Sequence, residues 1–454
     1  MRIDTLADTV LPTRHQDVLK LPIVARLFSP HSLELLQDWL TDPLSLVLIS
    51  GAFLGFLLYL AVDLLKMRLG AKWTYGLKLA LVLIIIALTV VAGTLKLMTL
   101  RHEVGPASYS HDGGVIQTEE VIKLFLAGQN PYVEDYADTP LAEWGIEFHS
   151  VVLHYPYLPW TFIFSTPFHL LSQAILGWFD QRMVYLLLFV LTLLLSLRLT
   201  RNRGVRLLLV MALGLNPIMG SDVIFGQNDS FVLFWLVLTL WFLPQRDAER
   251  DQEWRYLASS LAAGLACASK PTAWYIMPFY LVYLFDIRRV GWRLELDRRW
   301  LARLAPLVGC FLILVGPYLI WNAPAMIDDV WRWSAGTSEV PYQIRGWGVA
   351  NWVLARGLVE SRLSNFPFWI MQVAICLPLL VGLLWKQTGN RDENSIASIA
   401  WNGAILFLVY AFFSRFMNEN YVGFVTALLA IGVLTGMPAN AETALAESTL
   451  SSSP

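Results

Sequence analysis

The amino-acid sequence predicts an all-α protein that crosses a membrane many times. Hydrophobic residues make up 56% of its 454 residues and charged residues only 15%, a composition typical of membrane proteins. Apolar runs close to the length that a helix needs to span a bilayer recur along the chain, and we count about twelve. The net charge of −2 indicates no nucleic-acid partner, and the three cysteines, all in apolar runs, form no disulfide or metal framework.

The two ends of the chain differ from the part between them. Residues 1–42 carry charged residues before the first long apolar run, so they are not built like a cleaved signal. Residues 21–40 have helical periodicity, and we predict a cytoplasmic or interfacial segment over 1–42. Residues 43–437 form the predicted transmembrane domain. The small and polar residues 438–454 predict a disordered tail.

Short loops rich in Lys and Arg indicate the cytoplasmic face. Four such loops lie at residues 66–72, 198–206, 245–255 and 286–299. The loops predicted on the opposite face are 101–154, which we call the first loop, 218–228, which we call the second loop, 322–365 and a turn at 414–420.

One apolar segment does not fit this topology. The chain needs an odd number of crossings between residue 154 and the basic loop at 198–206, but two apolar runs lie there. Residues 155–178 contain Pro156, Pro159 and Pro167, and a proline inside a helix removes a hydrogen bond. We predict that this segment does not cross but enters and returns, or lies along the interface.

The first loop carries an unusual number of carboxylates. "HDGG", residues 111–114, places Asp112 beside two glycines, which permit close approach of the backbone to a ligand. Glu119 and Glu120 follow Thr118 at the start of an amphipathic run. These two acids have an ordinary explanation, because a helix N-terminus favours acidic side chains.

Two further polar motifs interrupt the apolar runs. "FGQND", residues 225–229, contains a glycine that permits a turn and an Asn or Asp that could simply cap the next helix. In "KPTA", Lys270 precedes Pro271. A lysine at membrane depth normally faces a cavity or an anion, although a snorkelling lysine at a helix end is the alternative.

Two later segments combine aromatic, cationic and amide side chains. Tyr342 and Arg345 suit a sugar ring and a phosphate, although an aromatic membrane belt with a solvated arginine has the same composition. Arg415 and Asn420 lie in the turn between the last two apolar runs. That turn is either part of a binding site or a tightly packed polar cap.

Taken in order, these motifs carry a family resemblance. An acidic first loop, "GQNPY" at 128–132, "YPYLP" at 155–159, "FGQND" and "KPTA" together resemble GT-C glycosyltransferases. These are integral membrane enzymes that use polyprenyl-phosphate sugars. The resemblance is closest to the family-87 branch with its mannosyltransferases, and it covers roughly residues 105–280. It implies a GT-C-like bundle of about 11–13 transmembrane helices with helical outer loops.

The resemblance also implies roles for particular residues. Transfer of a sugar to a hydroxyl needs a base and donors that stabilise the leaving phosphate. Asp112 matches the family's catalytic acid, with Glu119 and Glu120 in reserve. The residues expected to bind substrate are His154, Tyr155, Gln227, Asn228, Asp229, Lys270, Tyr342, Arg345, Arg415 and Asn420.

The expected cofactor and partners follow from the same resemblance. Some relatives bind a divalent cation and others do not, so a Mg²⁺ or Mn²⁺ site formed by Asp112 with Asp222 or Asp229 stays open. Asp222 and Asp229 could equally orient the acceptor or hold the first loop. The partners would be membrane lipids, a polyprenyl-phosphate hexose and a lipid, glycan or protein acceptor. The site would lie on the non-cytoplasmic face of a plasma or inner membrane.

Two other functional classes compete with the transferase. A transporter or flippase for a lipid-linked sugar would show repeated halves and ionisable groups near the bilayer midplane. We find no convincing repeat, and the acids lie in loops at one face. A noncatalytic envelope scaffold would leave these carboxylates without a task.

Overall fold

The computed structural model describes residues 15–37, 42–105, 109–144, 150–244, 252–291 and 293–437. Within these ranges the chain is helical apart from two pairs of very short strands, so the predicted all-α class is confirmed. The predicted tail, 438–454, lies outside the described residues. The chain divides into two compact units, of which unit 1 contains Met1–Val190, Pro217–Phe231 and Val315–Gln343, and unit 2 contains Leu191–Asn216, Val232–Leu314 and Ile344–Pro454.

The first nine helices lead through the first loop. They are α1 His15–Leu19, α2 Pro22–Leu27, α3 Pro30–Gln37, α4 Pro43–Leu69, α5 Ala71–Ile86, α6 Ala92–Val104, α7 Thr118–Leu126, α8 Trp160–Leu176 and α9 Arg182–Ser196. A π-helical turn, Ala87–Val91, joins α5 to α6, and a second π-helix, Asp112–Gln117, leads directly into α7. Short 3₁₀ turns lie at Pro140–Trp144 and Ser150–Leu153.

The later elements continue the helical pattern. They are α10 Arg203–Gly214, α11 Pro217–Phe225, α12 Asp229–Phe242, α13 Glu253–Cys267, a 3₁₀ turn Pro271–Tyr275, α14 Met277–Leu284, strands β1 Arg288–Val290 and β2 Arg293–Glu295, α15 Trp300–Ile327, a π-helix Asp328–Arg332, α16 Trp333–Ala335, β3 Arg345–Gly346, α17 Ala350–Ala355, α18 Phe368–Gly389, α19 Ile396–Phe412, β4 Phe416–Met417 and α20 Glu419–Thr435. β1 pairs with β2 antiparallel, and β3 pairs with β4 in parallel.

Fewer helices are long enough to span a bilayer than the sequence predicts. Among the described residues, four helical stretches qualify by length and composition: Pro43–Leu64, Ala71–Val104, Trp300–Ala335 and Phe368–Gly389. A fifth is added if α10 and α11, which meet at a bend of 50°, form one broken span. α9, α12, α19 and α20 are apolar but shorter. The hydropathy of a sequence shows where an apolar run lies. It does not show where breaks in the backbone divide that run into shorter helices.

The chain segments before and after α8 both form hydrogen bonds with the first loop. The helix runs through Pro167 without a break. Just before it, the carbonyl of His154 accepts from Gln117 Nε2 at 2.9 Å. Just after it, the backbone N of Gln181 donates to Glu119 Oε1 at 2.8 Å. Both ends of α8 therefore connect to one short stretch of the first loop, and the non-crossing arrangement of residues 155–178 stays a prediction.

Described residues of the N-terminal segment contact the first loop and α6. The hydroxyl of Tyr109 donates to Asp17 Oδ2 at 2.7 Å, and Lys96 of α6 forms a buried ion pair with Asp42. A single spanning helix, α4, separates Asp42 from the turn at Gly70. A crossing by α4 would place this segment on the same face as the first loop, and the choice between a cytoplasmic and an interfacial segment over 1–42 stays a prediction.

Candidate active site in the first loop

The "HDGG" motif forms a tight turn at the start of a π-helix in unit 1. His111 precedes this helix, and its Nδ1 accepts from the backbone N of Gly114 at 3.0 Å. The backbone N of Gly113 donates to Asp112 Oδ1 at 2.6 Å, and the Asp112 side chain retains 13% exposure. A carboxylate that accepts from a backbone amide is held in position.

The "FGQND" turn packs directly against this motif. The backbone N of His111 donates to the carbonyl of Phe225 at 2.7 Å. A methyl group at Gly114 would lie 2.1 Å from the carbonyl oxygen of Gly226, so only glycine allows the two backbones to approach this closely. Two motifs that lie more than a hundred residues apart in sequence therefore form one compact structure in unit 1.

Tyr157 contributes a further polar group that sequence reasoning missed. Its hydroxyl would lie 3.5 Å from a methyl group placed at Gly113. Burial raises the pKa of Tyr157 well above its usual value, and the nearby charges of Asp112 and Asp229 raise the pKa further. Asp112 and Asp229 therefore both act on one phenol. Sequence spacing identified the "YPYLP" motif but could not tell which of its tyrosines faces the turn that contains Asp112.

Amide side chains lie close to the same turns. Asn228 is buried, and its Nδ2 donates to Thr161 Oγ1 at 3.4 Å. Its Oδ1, like Gln227 Oε1 and Gln117 Oε1, has no hydrogen-bond partner among the described residues. A buried amide oxygen without a partner is costly, so these oxygens are suited to receive a hydroxyl donor from water or a ligand.

The reserve acids are engaged in ion pairs. Both oxygens of the Glu119 carboxylate accept from Arg101, at 2.9 and 2.7 Å, and Oε1 also accepts from the backbone N of Gln181. Glu120 pairs with Lys123 at 2.7 Å. The predicted helix start at Thr118 is confirmed. Each acid therefore has a cationic partner, and the reserve role of Glu119 and Glu120 stays a prediction.

His154 and Tyr155 connect two segments of unit 1. His154 Nδ1 lies 2.9 Å from Asp329 Oδ1, and Nε2 lies 3.2 Å from the carbonyl of Val340. The backbone N of Tyr155 donates to Asp329 Oδ2 at 3.0 Å, and its ring is fully buried. These contacts attach the "YPYLP" segment to the π-helix Asp328–Arg332, and the substrate role of His154 and Tyr155 stays a prediction.

The possible metal ligands fall in a place that the sequence did not indicate. Among the described residues, His154, Asp328 and Asp329 are the group whose ligand atoms all lie within 4.8 Å of one another. Nitrogen and carboxylate oxygen ligands of this kind suit a transition-metal ion. The proposed pairing of Asp112 with Asp222 or Asp229 stays a prediction.

The remaining predicted binding residues divide between the units. Tyr342, in unit 1, packs its ring against Trp333 with centroids 4.7 Å apart. In unit 2, the Lys270 ammonium lies 5.7 Å from the ring centroid of Tyr421, Asn420 is buried, and Arg345 is exposed on β3. Each of these four residues keeps its substrate role only as a prediction.

Arg415 is held by hydrogen bonds to backbone carbonyls of the protein. It is buried in unit 2, and its guanidinium donates to the carbonyls of Ser364 and Arg362 at 2.9 and 3.1 Å. Burial lowers the pKa of Arg415 to about 10. These bonds are of the kind that a polar cap would make, and the substrate role of Arg415 stays a prediction.

Comparison with known proteins identifies the family. Residues 155–412 match the model described as glycosyltransferase family 87, a range that covers more than half of the chain. The chain belongs to glycosyltransferase family 87. The family is the one that the motifs resembled, and the long apolar helices are those of an integral membrane protein. The matched range includes "FGQND", Lys270, Tyr342 and Arg345, but it begins after Asp112 and His154 and ends before Arg415.

Two solved structures are similar to this glycosyltransferase. They are ArnT from Cupriavidus metallidurans bound to undecaprenyl phosphate, at 18% identity, and the same protein in the apo state, at 16% identity. Each match covers 78% of this chain with a TM-score of 0.45. The match covers 59% of the first structure and 58% of the second, so the chain spans about three-fifths of their length. The search of curated proteins found no match.

Proposed function

We propose that this membrane glycosyltransferase moves a hexose, with mannose as the first candidate, from a polyprenyl-phosphate donor to a hydroxyl acceptor on the non-cytoplasmic face. Asp112 would be the general base. The observation that carries this proposal is the locked turn in which Asp112 accepts from the backbone N of Gly113 and remains partly exposed.

The chemistry would be a single displacement with inversion. Asp112 removes the proton from the acceptor hydroxyl while its oxygen attacks the anomeric carbon. The bond from that carbon to the phosphate oxygen breaks, and the polyprenyl phosphate leaves with the electron pair. The buried amide oxygens of Gln117 and Asn228 would accept hydrogen bonds from sugar hydroxyls, because they have no partner among the described residues.

The leaving phosphate needs positive charge or hydrogen-bond donors. Lys270 directly precedes the 3₁₀ turn Pro271–Tyr275. Within that turn, the buried hydroxyl of Thr272 has no hydrogen-bond partner among the described residues. A cation and an unused donor on one short motif suit a phosphate, so "KPTA" is our candidate for the phosphate group of the donor.

The test is the substitution Asp112→Asn. Loss of a general base lowers the turnover number by roughly 10²–10⁴-fold, while the fold should survive because the amide has nearly the same shape. Release of polyprenyl phosphate by the purified protein, supplied with a panel of polyprenyl-phosphate hexoses, measures the effect. Asp138→Asn changes an exposed acid of the same loop and should leave activity unchanged. Full activity of Asp112→Asn would reject the assignment.

A further inference from the structure

We infer that Arg182 and Tyr185, in the first turn of α9, are positioning residues that hold the "HDGG" and "FGQND" turns in register. This inference rests on the proposed function, because the group that the two residues would position is the proposed base, Asp112. Neither residue belongs to a motif that carried the family resemblance. Both are fully buried in unit 1, and they lie one helical turn apart.

Arg182 uses all five of its N–H groups within the protein. Nε and Nη2 donate to the two oxygens of Asp180, at 2.8 and 2.7 Å. Nη1 donates to the carbonyls of Tyr109 and Ile224, at 2.9 and 3.2 Å, and Nη2 reaches the carbonyl of Leu97 at 3.4 Å. A guanidinium with every donor engaged in rigid geometry holds its acceptors at defined distances.

The backbone groups that Arg182 binds are next to the candidate catalytic groups. Tyr109 lies three residues before Asp112, and Ile224 lies two residues before Gly226. One nitrogen, Nη1, therefore bridges the two chain segments just before they meet in the bond from His111 N to the Phe225 carbonyl. Displacement of this nitrogen would move both turns together.

Tyr185 supports the other side of the same turn. Its hydroxyl donates to the carbonyl of Gly114 at 2.6 Å, two residues after Asp112. The tyrosine and the arginine thus fix the backbone on both sides of the base. Misplacement of a catalytic group by about 1 Å costs roughly 10²-fold in rate, so these contacts should appear in turnover and not only in stability.

A buried ion network keeps Arg182 in place. Burial by itself would raise the pKa of Asp180, but the charges of Arg182 and Arg101 lower that pKa to below its usual range. Asp180 is therefore a carboxylate at neutral pH and can balance the arginine. Arg101 joins this network to Glu119 through ion pairs with Asp180 and Glu119. Glu119, the reserve acid, is therefore part of the ion network that holds the turn with Asp112 in place.

The decisive variant is Tyr185→Phe, which removes one hydroxyl and keeps the ring. We expect the turnover number per donor bound to fall by at least about tenfold, within the roughly 10²-fold range for a displaced catalytic group. The stoichiometry of donor binding and the KM of the donor should change little. Tyr283→Phe is the matched control, because its buried hydroxyl also donates to a backbone carbonyl, that of Pro244 at 2.7 Å in unit 2.

Arg182→Lys gives a second measurement. The lysine retains the charge but cannot bind Asp180 and two carbonyls at once, so turnover should fall further than in Tyr185→Phe. If this variant fails to fold, the tyrosine variant still decides. A double-mutant cycle then separates positioning from general stability: in an Asp112→Asn background, Tyr185→Phe should cause no further loss of residual activity.

The outcomes distinguish this inference from the proposed function. If Asp112→Asn retains full activity, the proposed base is wrong whatever Tyr185→Phe does. If Asp112→Asn is inactive while Tyr185→Phe matches the Tyr283→Phe control in turnover, the positioning role is wrong and Asp112 stands. Additive losses in the double variant, or a fall in donor-binding stoichiometry that accounts for the lost turnover, would also reject positioning.

Discussion

At the scale of single residues, the "HDGG" and "FGQND" turns depend on glycines that leave room for close backbone approach. Gly226 has a left-handed φ of +88°, and a methyl group there would lie 2.1 Å from Val115 Cγ2 and 2.8 Å from Arg182 Cγ. Gly128, in the "GQNPY" motif, also has a left-handed φ, +72°, but has open space around the same position. A substitution at Gly128 therefore tests backbone strain alone, whereas a substitution at Gly226 tests backbone strain together with a steric clash.

Gly226→Ala should destabilise the protein by clearly more than Gly128→Ala. Gly128→Ala should cost only the strain of a left-handed residue, about 1–2 kcal/mol, whereas Gly226→Ala adds a clash that must move Val115 or Arg182. Thermal unfolding in detergent, followed by circular dichroism, compares the two variants. Equal shifts in Tm would show that the close packing at Gly226 does not contribute to stability.

At the scale of elements, a single carboxylate attaches the "YPYLP" segment to the π-helix Asp328–Arg332. Asp329 accepts from the backbone N of Tyr155 and lies 2.9 Å from His154 Nδ1. Its neighbour Asp328 is more exposed and lies 3.7 Å from the same nitrogen. Because Tyr157 follows two residues after this attachment and faces the Asp112 turn, the carboxylate should affect both stability and catalysis.

Asp329→Asn should lower the free energy of unfolding by roughly 1–3 kcal/mol, the cost of disrupting a buried charged hydrogen bond, and should reduce turnover. Asp328→Asn is the matched control and should have a smaller effect on both. Chemical unfolding and donor turnover measure the two variants. Equal losses in both, together with inactivation by a chelator, would indicate instead that His154, Asp328 and Asp329 hold a metal ion.

At the scale of the whole molecule, the contacts of unit 1 determine on which face its segments lie. Glu34 lies in the N-terminal segment that contacts α6 and the first loop, and Asp138 lies in the first loop itself. Both are exposed. Lys72, also exposed, lies after α4, just past Gly70. One spanning helix separates Lys72 from Glu34, and another separates it from Asp138.

We therefore expect cysteines at residues 34 and 138 to react from one side of the membrane and a cysteine at residue 72 from the other. Labelling with an impermeant maleimide in sealed membranes tests this, after Cys267, Cys310 and Cys376 have been replaced. All three native cysteines belong to unit 2, so their replacement leaves unit 1 unchanged. Labelling of residues 34 and 72 from the same side would contradict the arrangement.

The sequence by itself was sufficient for the helical membrane class, the family and the motifs that form the candidate turn. Composition determines which solvent the surface must face, and a helix start such as Thr118 depends on neighbouring residues alone. Both kinds of information are local. The order of "HDGG", "YPYLP" and "FGQND" was equally visible, because motif spacing is written along the chain.

Only the tertiary structure decided which groups meet. His154 pairs with Asp329, which lies 175 residues away; Glu119 is engaged by Arg101; Tyr157 rather than Tyr155 faces Asp112; and Arg182 bridges both turns. An arginine at the start of an apolar helix, two residues after an aspartate, was a signal that could have indicated Arg182. Its acceptors could not be predicted, because they are backbone carbonyls whose positions depend on how distant segments pack, and hydropathy and spacing carry no information about that packing.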